Sequence, residues 1–441
     1  NNQSSSYLTE EHIEFFINNG YVVIPNVFTN NEIELFRNSL HLTMSKLGFY
    51  HQQMSKEELQ NIPRFGPQSQ IFYPNWKLKI QEDPRFFNIM SELWKHTFAS
   101  NKEGFQTYFS GFDYTKGYFY IDRVNYRLPD YIAPQGGLGL HVDCDPRDPL
   151  SDPDKWRPIQ ASIVLTDCLN STSGGLCVVP GMHTKIQEYV NRKISLQGNQ
   201  KKNSTPSTIK CGAFTRLHQC HDLVSRIEPV FATAGSIVLW DNRLPHGTVE
   251  QNTTFDTREV LFMTYLPYIP RNTQYAFNQL VHYQQGILPP DFIKNAKKGC
   301  IDQQKECTGE HHYKFSELGR KLMGIDSWEE EQEEQEEQEK QEKQETQKNE
   351  KNSQIIDSNT NDFFETPFIS NNSEDIDSHF YDPSSILATV SSIQSSPDSA
   401  PLRSLSLSMI TDESLLKTDE ELIKNDNNDN NNDNNNDNNN D

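Results

Sequence analysis

His141 and Asp143 stand two residues apart in the run GLGLHVDCD. On a β-strand, residues i and i+2 leave the same face, so this pair offers an imidazole nitrogen and a carboxylate oxygen to one point. A His-x-Asp pair alone is common and carries little. His246 closes the run AGSIVLWDNRLPHGT, where a glycine turn leads into an apolar strand and then a loop. It is either a third ligand or a hydrogen-bonded loop histidine. Arg258, twelve residues further on, opens the run REVLFMTYLP and shares a strand face with Val260, Phe262 and Thr264. A guanidinium on that face must meet an anion, or else reach water or Asp256 at the strand end. Two histidines and one carboxylate form the facial set that leaves metal positions open for non-haem Fe(II) oxygen chemistry. A planar guanidinium beside it is the natural bidentate partner for a carboxylate co-substrate. Taken together, the four residues favour that chemistry over four separate coincidences.

Other clusters compete poorly. His218, Cys220 and His221, and the pair His311-His312, lack the spacing of a closed zinc site. No glycine-rich phosphate loop of the G-x-x-x-x-G-K type occurs. Cys144 follows Asp143 with no base nearby in sequence, so it reads as a buried thiol. His183, in the turn Pro180-Gly181-Met182-His183, reads as structural.

The elements that must position these residues are legible in part. Thr9 caps a helix whose Ile13, Phe15, Phe16 and Ile17 are expected to supply apolar contact and that Gly20 ends, and Tyr21 to Pro25 follow as a short strand. Thr29 and Glu32 form a capping box before a second helix, with Ile33, Phe36, Leu40 and Leu47 at helical spacing. A further helix is expected around 84–97. After Gly117 the period changes to short β-branched and aromatic runs: GYFYIDRVNYRL, IQASIVLTD, GLCVV, GSIVLWD and REVLFMTYLP. The basic stretch 191–216 reads as an inserted loop over the β core. The fold expected is mainly β with N-terminal helices (α+β): helices over about 8–100, a β core over about 115–270 and a helical cover over about 271–325.

The chain has 441 residues and a formal charge of −22, unevenly distributed. Residues 326–441 hold 30 acidic and 7 basic side chains, leaving 32 and 33 in residues 1–325. The near-neutral body argues against nucleic acid as a partner, which calls for a basic surface. Glu/Gln repeats after Trp328 and a closing Asn/Asp run have no apolar face to bury. Residues 326–441 are therefore expected to be a disordered acidic tail, with short apolar islands that could engage an unknown protein partner. No stretch reaches the ~20 apolar residues of a membrane span. Seven cysteines, sparse and odd in number, suit a reducing, cytoplasmic compartment better than a disulfide framework.

Beyond these residues, the sequence resembles the phytanoyl-CoA dioxygenase family of Fe(II)/2-oxoglutarate-dependent oxygenases. The opening LTEEHIEFFINNGYVVIPNVFTNNEIELFR looks like that family's helix–strand–helix. SGGLCVVPGMH is similar to its Gly-x-Leu-x-x-x-Pro-Gly-Ser-His segment, with Met182 where Ser is usual, and AGSIVLWDNRLPHGT resembles its distal-histidine segment. These motifs lie in order across roughly residues 8–270. The resemblance implies a double-stranded β-helix (jelly-roll, cupin-like) of two four-stranded sheets with iron at its mouth. It implies His141, Asp143 and His246 as Fe(II) ligands and Arg258 as the grip on the distal carboxylate of 2-oxoglutarate. Thr248 would donate a hydroxyl to that carboxylate, or simply suit its strand. Gln160 or Asn125 would help hold 2-oxoglutarate, or be plain strand polars. The activity implied is O2-dependent hydroxylation of a small-molecule or acyl-type substrate with release of succinate and CO2. The retained Asp143 favours hydroxylation over halogenation. The competing reading is an inactive β-helix scaffold that works through its acidic tail. Acidic residues over 143–154 make a strongly anionic substrate less attractive.

Overall fold

The computed structural model describes residues 7–62, 71–198, 209–293 and 313–329. The expected tail beyond Glu329, together with His311, His312, Cys300 and Cys307, lies outside the described residues.

The N-terminal part is helical. It holds α1 (Glu10–Asn19), α2 (Asn30–Lys46), α3 (Lys56–Gln60), α4 (Asn75–Gln81) and α5 (Pro84–His96), with β1 (Tyr21–Ile24) between the first two. Thr9 caps α1, and Gly20 ends it at φ 80° in the left-handed region that favours glycine. Thr29 and Glu32 close the capping box of α2 reciprocally. Asp83 caps α5 and Pro84 takes its first position.

The β part comprises β2 (Gly117–Arg127), β3 (His141–Val142), β4 (Ile159–Val164), β5 (Leu176–Val178), β6 (Thr215–Arg216), β7 (Glu228–Pro229), β8 (Ile237–Asp241), β9 (His246–Thr248) and β10 (Arg258–Pro267). Helices α6 (Ile186–Gly198) and α7 (His221–Val224) interrupt it, and α8 (Pro270–Gln285), α9 (Pro290–Ile293) and α10 (Glu317–Met323) follow it. Two antiparallel sheets form, in the orders β1-β8-β4-β10-β2 and β6-β3-β9-β5-β7. The class is therefore α+β, as the runs of short strands predict. Each sheet has five strands where the resemblance implies four. In the first, β1 is added at the edge, pairing Tyr21 to Ile24 with Trp240 to Ile237.

Alternation along the first sheet separates two environments. Ile159, Ala161, Ile163, Leu239, Leu261 and Met263 join Phe16, Leu40, Phe86 and Trp94 in one core under the helices. Burying each such large side chain contributes about 1.5–3 kcal/mol. The other face carries Val164, Val238 and Trp240, which cluster with Val178 of the second sheet. The two sheets thus face each other, and the polar residues of that inner face have the site between them.

The stretch 191–216 departs from the expected loop. Its described start is helix, because Ile186, Tyr189 and Val190 bury one face against Val142, Leu217 and Leu223. Arg192 and Lys193 lie on the exposed side of that helix, which is why composition alone suggests a loop. At the C-terminal end, Trp328 stacks on Phe87 and its indole N–H donates to Gly117 O at 2.9 Å.

Candidate metal centre

His141 and His246 are brought together by the second sheet, where they are directly paired across β3 and β9. Glycine permits the approach. A Cβ on Gly247 would sit 2.6 Å from Leu138 O, so the chain at Leu138 and Gly139 lies against the backbone of β9. Gly247→Ala is accordingly expected to cost about 1–3 kcal/mol, since backbone must shift. Because that shift parts the two histidines, it should also weaken divalent-metal binding. Thermal melting and Mn(II) titration of the variant check this, and unchanged values in both would contradict it.

Both rings are held the same way. His141 Nδ1 donates to Gly139 O at 2.8 Å, and His246 Nδ1 donates to Leu244 O at 2.9 Å. A carbonyl can only accept, so each Nδ1 carries the proton and each Nε2 presents a lone pair. Asp143 lies between them, with Oδ1 3.7 Å from His141 Nε2 and Oδ2 3.7 Å from His246 Nε2. These separations exceed a hydrogen bond and suit donors arranged around a common centre. One ligand atom from each of the three residues lies within 4.8 Å of the others, the single such group among the described residues.

The protonation states agree with that arrangement. Burial, and then neighbouring His246, lowers the His141 pKa to about 4, so the ring is neutral near pH 7. Burial raises the Asp143 pKa, but the two histidines and Arg157 outweigh it and leave the carboxyl well below its ordinary value. Two imidazole nitrogens and a carboxylate are a donor set matched to a divalent ion of intermediate hardness. Outer contacts fix the backbone of Asp143, just past β3: Asn242 Nδ2 donates to Asp143 O at 3.0 Å, and Gln160 Nε2 donates to Asn242 Oδ1 at 2.9 Å.

Arg258 lies at the start of β10, 4% exposed, facing the space between the sheets. Its hydrogen bond with a described residue runs from Nη1 to Asn125 Oδ1 at 2.6 Å, and its Nε has no partner. Asp256, the alternative anion suggested by sequence, pairs with Arg37 of α2. Burial lowers the Arg258 pKa; nearby Cys168 opposes that shift and the Arg127 cation adds to it. Thr248 extends from β9 on the same face as His246, and its hydroxyl oxygen accepts from Leu138 N at 2.6 Å.

Sequence reasoning names seven residues here, and the structure groups them in two sets. His141, Asp143 and His246 converge, with Gln160 behind them through Asn242. Asn125 holds Arg258, and Thr248 belongs with the first set through β9, two residues after His246. Asn242 and Arg157 escape that reading: Asn242 sits inside the run quoted for His246, four positions before it, and Arg157 lies three positions before Gln160, just outside the run quoted there. His183 is buried, as the structural reading expects. Its Nε2 donates to Ile17 O at 3.1 Å and its ring packs on Phe105. Cys144 is a buried free thiol, its pKa raised by burial.

With this geometry in view, relatives can be placed. A model of the Gig2-like family matches residues 155–325. A Dictyostelium discoideum protein named "Putative phytanoyl-CoA dioxygenase" is 22% identical over 351 residues, covering 71% of this chain and 86% of that protein. The crystal structure of GlcNAc Inducible Gene 2 from Candida albicans matches with a TM-score of 0.57 at 16% identity, over 74% of this chain and 78% of that one. A Salmonella typhimurium LT2 structure named "Putative Oxidoreductase" matches with a TM-score of 0.55 at 17% identity, over 72% and 83%. At these identities the two structures bear on the fold alone. Residues 155–325 thus carry the pattern of the Gig2-like family, and the chain is similar over most of its body to a protein named for the phytanoyl-CoA dioxygenases.

Proposed function

We propose that the protein is a non-haem Fe(II)- and 2-oxoglutarate-dependent oxygenase that hydroxylates a C–H bond of a small-molecule or acyl-type substrate, releasing succinate and CO2. The observation that carries this reading is the convergence of His141, Asp143 and His246 within 4.8 Å, with a buried and incompletely bonded Arg258 on the facing sheet. The name of the Dictyostelium relative supports the same class. In this reading the two sheets are the halves of a double-stranded β-helix, and the metal sits near its mouth.

The donor set fits the ion. Two Nε2 lone pairs and one carboxylate occupy one side and leave the other side for exogenous ligands. Iron(II), when bound, supplies the activation of O2 and the oxidation of the C–H bond. The protein's own residues supply position. The carbonyls of Gly139 and Leu244 hold both imidazoles in the ligating tautomer. Arg258 would receive the far carboxylate of 2-oxoglutarate, with Asn125 fixing the plane of the guanidinium. The Thr248 hydroxyl proton is free to add a hydrogen bond to that carboxylate. Trp240, its ring centroid 5.5 Å from that of His246, and the neighbouring valines keep the inner end dry.

The test is 2-oxoglutarate consumption. Full-length protein with Fe(II) and O2 should form succinate slowly even without its true substrate, and a chain ending at Glu329 should do the same. Succinate absent from both would favour the scaffold reading. Among the described residues no helix is long and apolar enough to cross a membrane.

A further inference from the structure

A second buried arginine lies on the other side of Asp143. Arg157, just before β4, has a side chain only 10% exposed. No described residue accepts a hydrogen bond from it, and its buried Nε has no partner. Its nearest charges are Asp143 Oδ2 and Asp122 Oδ2, both at 3.8 Å, too far for hydrogen bonds. Its guanidinium rests 4.4 Å above the Tyr120 ring, which fixes its plane without using its donors. Leaving such donors buried and unmade is costly, unless a ligand completes them.

The space in front of it is shaped for a ligand. A cavity of about 210 Å³ is lined by Phe98, Gln106, Trp156, Arg157, Asn242 and Arg243. That size admits a small molecule or one end of it. Arg243 is already bonded to Asp241 at 2.7 Å, whereas Arg157 has only its two longer ion pairs, at 3.8 Å. A further cation stands at the metal's rim. Arg216 of β6 is directly opposite His141, so both side chains leave the same sheet face. Arg216 is exposed and lies over Phe214, whose ring packs on His141 at 4.7 Å.

The acidic run 143–154, which by sequence disfavours an anionic substrate, is largely spent internally. Asp145 pairs with Arg147, Asp152 with Lys155, and Asp148 Oδ1 accepts from Leu150 N at 3.2 Å. Asp143 is drawn to the metal once one binds.

We infer that Arg157, with Arg216 at the rim, binds an oxyanion of the substrate, a carboxylate or a phosphate, and so selects small organic anions for oxidation. This deepens the proposed function, since it assigns the substrate class of the same centre.

The experiment uses full-length protein loaded with Mn(II) and kept free of O2. Calorimetry compares benzoate, phenyl phosphate and neutral benzamide as probes. One or both anions should bind at least about tenfold more tightly than benzamide, and which anion wins separates carboxylate from phosphate. Arg157→Met should erase the preference, Arg157→Lys should keep part of it, and Arg216→Met should weaken it several-fold. Benzamide binding as well as the anions overturns the inference. So does a preference that survives both Arg157→Met and Arg216→Met. If Arg157→Met lowers Mn(II) affinity but leaves the preference intact, Arg157 merely positions Asp143 and the inference fails. Should Arg157→Met not fold, the exposed Arg216→Met decides alone. Wild-type protein that binds no Mn(II) would refute the metal reading, and the same titration on the metal-free chain would still test Arg157.

Discussion

His246→Ala should lower Fe(II) or Mn(II) affinity by at least about 100-fold and remove succinate formation, because it deletes one of three protein donors from an already open site. Two further consequences separate this from general damage. The ring is buried and hydrogen-bonded to Leu244 O, so its loss costs some stability. Far-ultraviolet circular dichroism should nevertheless stay native, since β9 is held by backbone pairing with β5 and β3. His246→Gln, which keeps a polar group of similar size, should restore folding stability without restoring metal affinity. Metal affinity unchanged in both variants, read by electron paramagnetic resonance of Mn(II), would remove His246 from the donor set.

Arg258→Met should separate binding from stability in the opposite direction. The buried guanidinium is held by Asn125, its Nε has no partner, and no described carboxylate pairs with it, so it is an electrostatic liability in the absence of co-substrate. Removing it should weaken 2-oxoglutarate binding by about 100-fold, consistent with losing a forked, charge-assisted contact. The melting temperature without 2-oxoglutarate should rise or hold, while the upward shift that 2-oxoglutarate gives the wild type should vanish. An arginine serving only the fold would show the reverse: a lower melting temperature and an intact ligand-induced shift. Asn125→Ala should weaken 2-oxoglutarate binding less, because it loosens the guanidinium without removing it.

What could be read from the sequence follows the length of the elements. β2, β4, β8 and β10 are long enough to show alternation or an apolar run, and their composition marks them. β6 and β7 span two residues each, too short for any period, and they are visible only through pairing with β3 and β5. The histidine pair is the sharper case. His141 and Asp143 announce a shared face locally, but the pairing of His141 with His246 is a non-local backbone contact that no spacing encodes. Arg258 is legible because a charge interrupts an apolar strand. Arg157 is not, because it precedes its strand in a polar, proline-flanked stretch where an arginine is unremarked. The α6 segment shows how composition misleads: Arg192 and Lys193 draw attention, while Ile186, Tyr189 and Val190 decide the structure.

The central claim is that one divalent iron and one 2-oxoglutarate meet at His141, Asp143 and His246. Anaerobic titration of the full-length protein with Fe(II) and 2-oxoglutarate tests it most directly, read as the weak visible charge-transfer absorption of a keto-acid chelated to ferrous iron. Wild type should develop the band and saturate at one iron per chain, and His141→Ala should show none. A wild-type protein without the band, or a His141→Ala protein that retains it, would contradict the account.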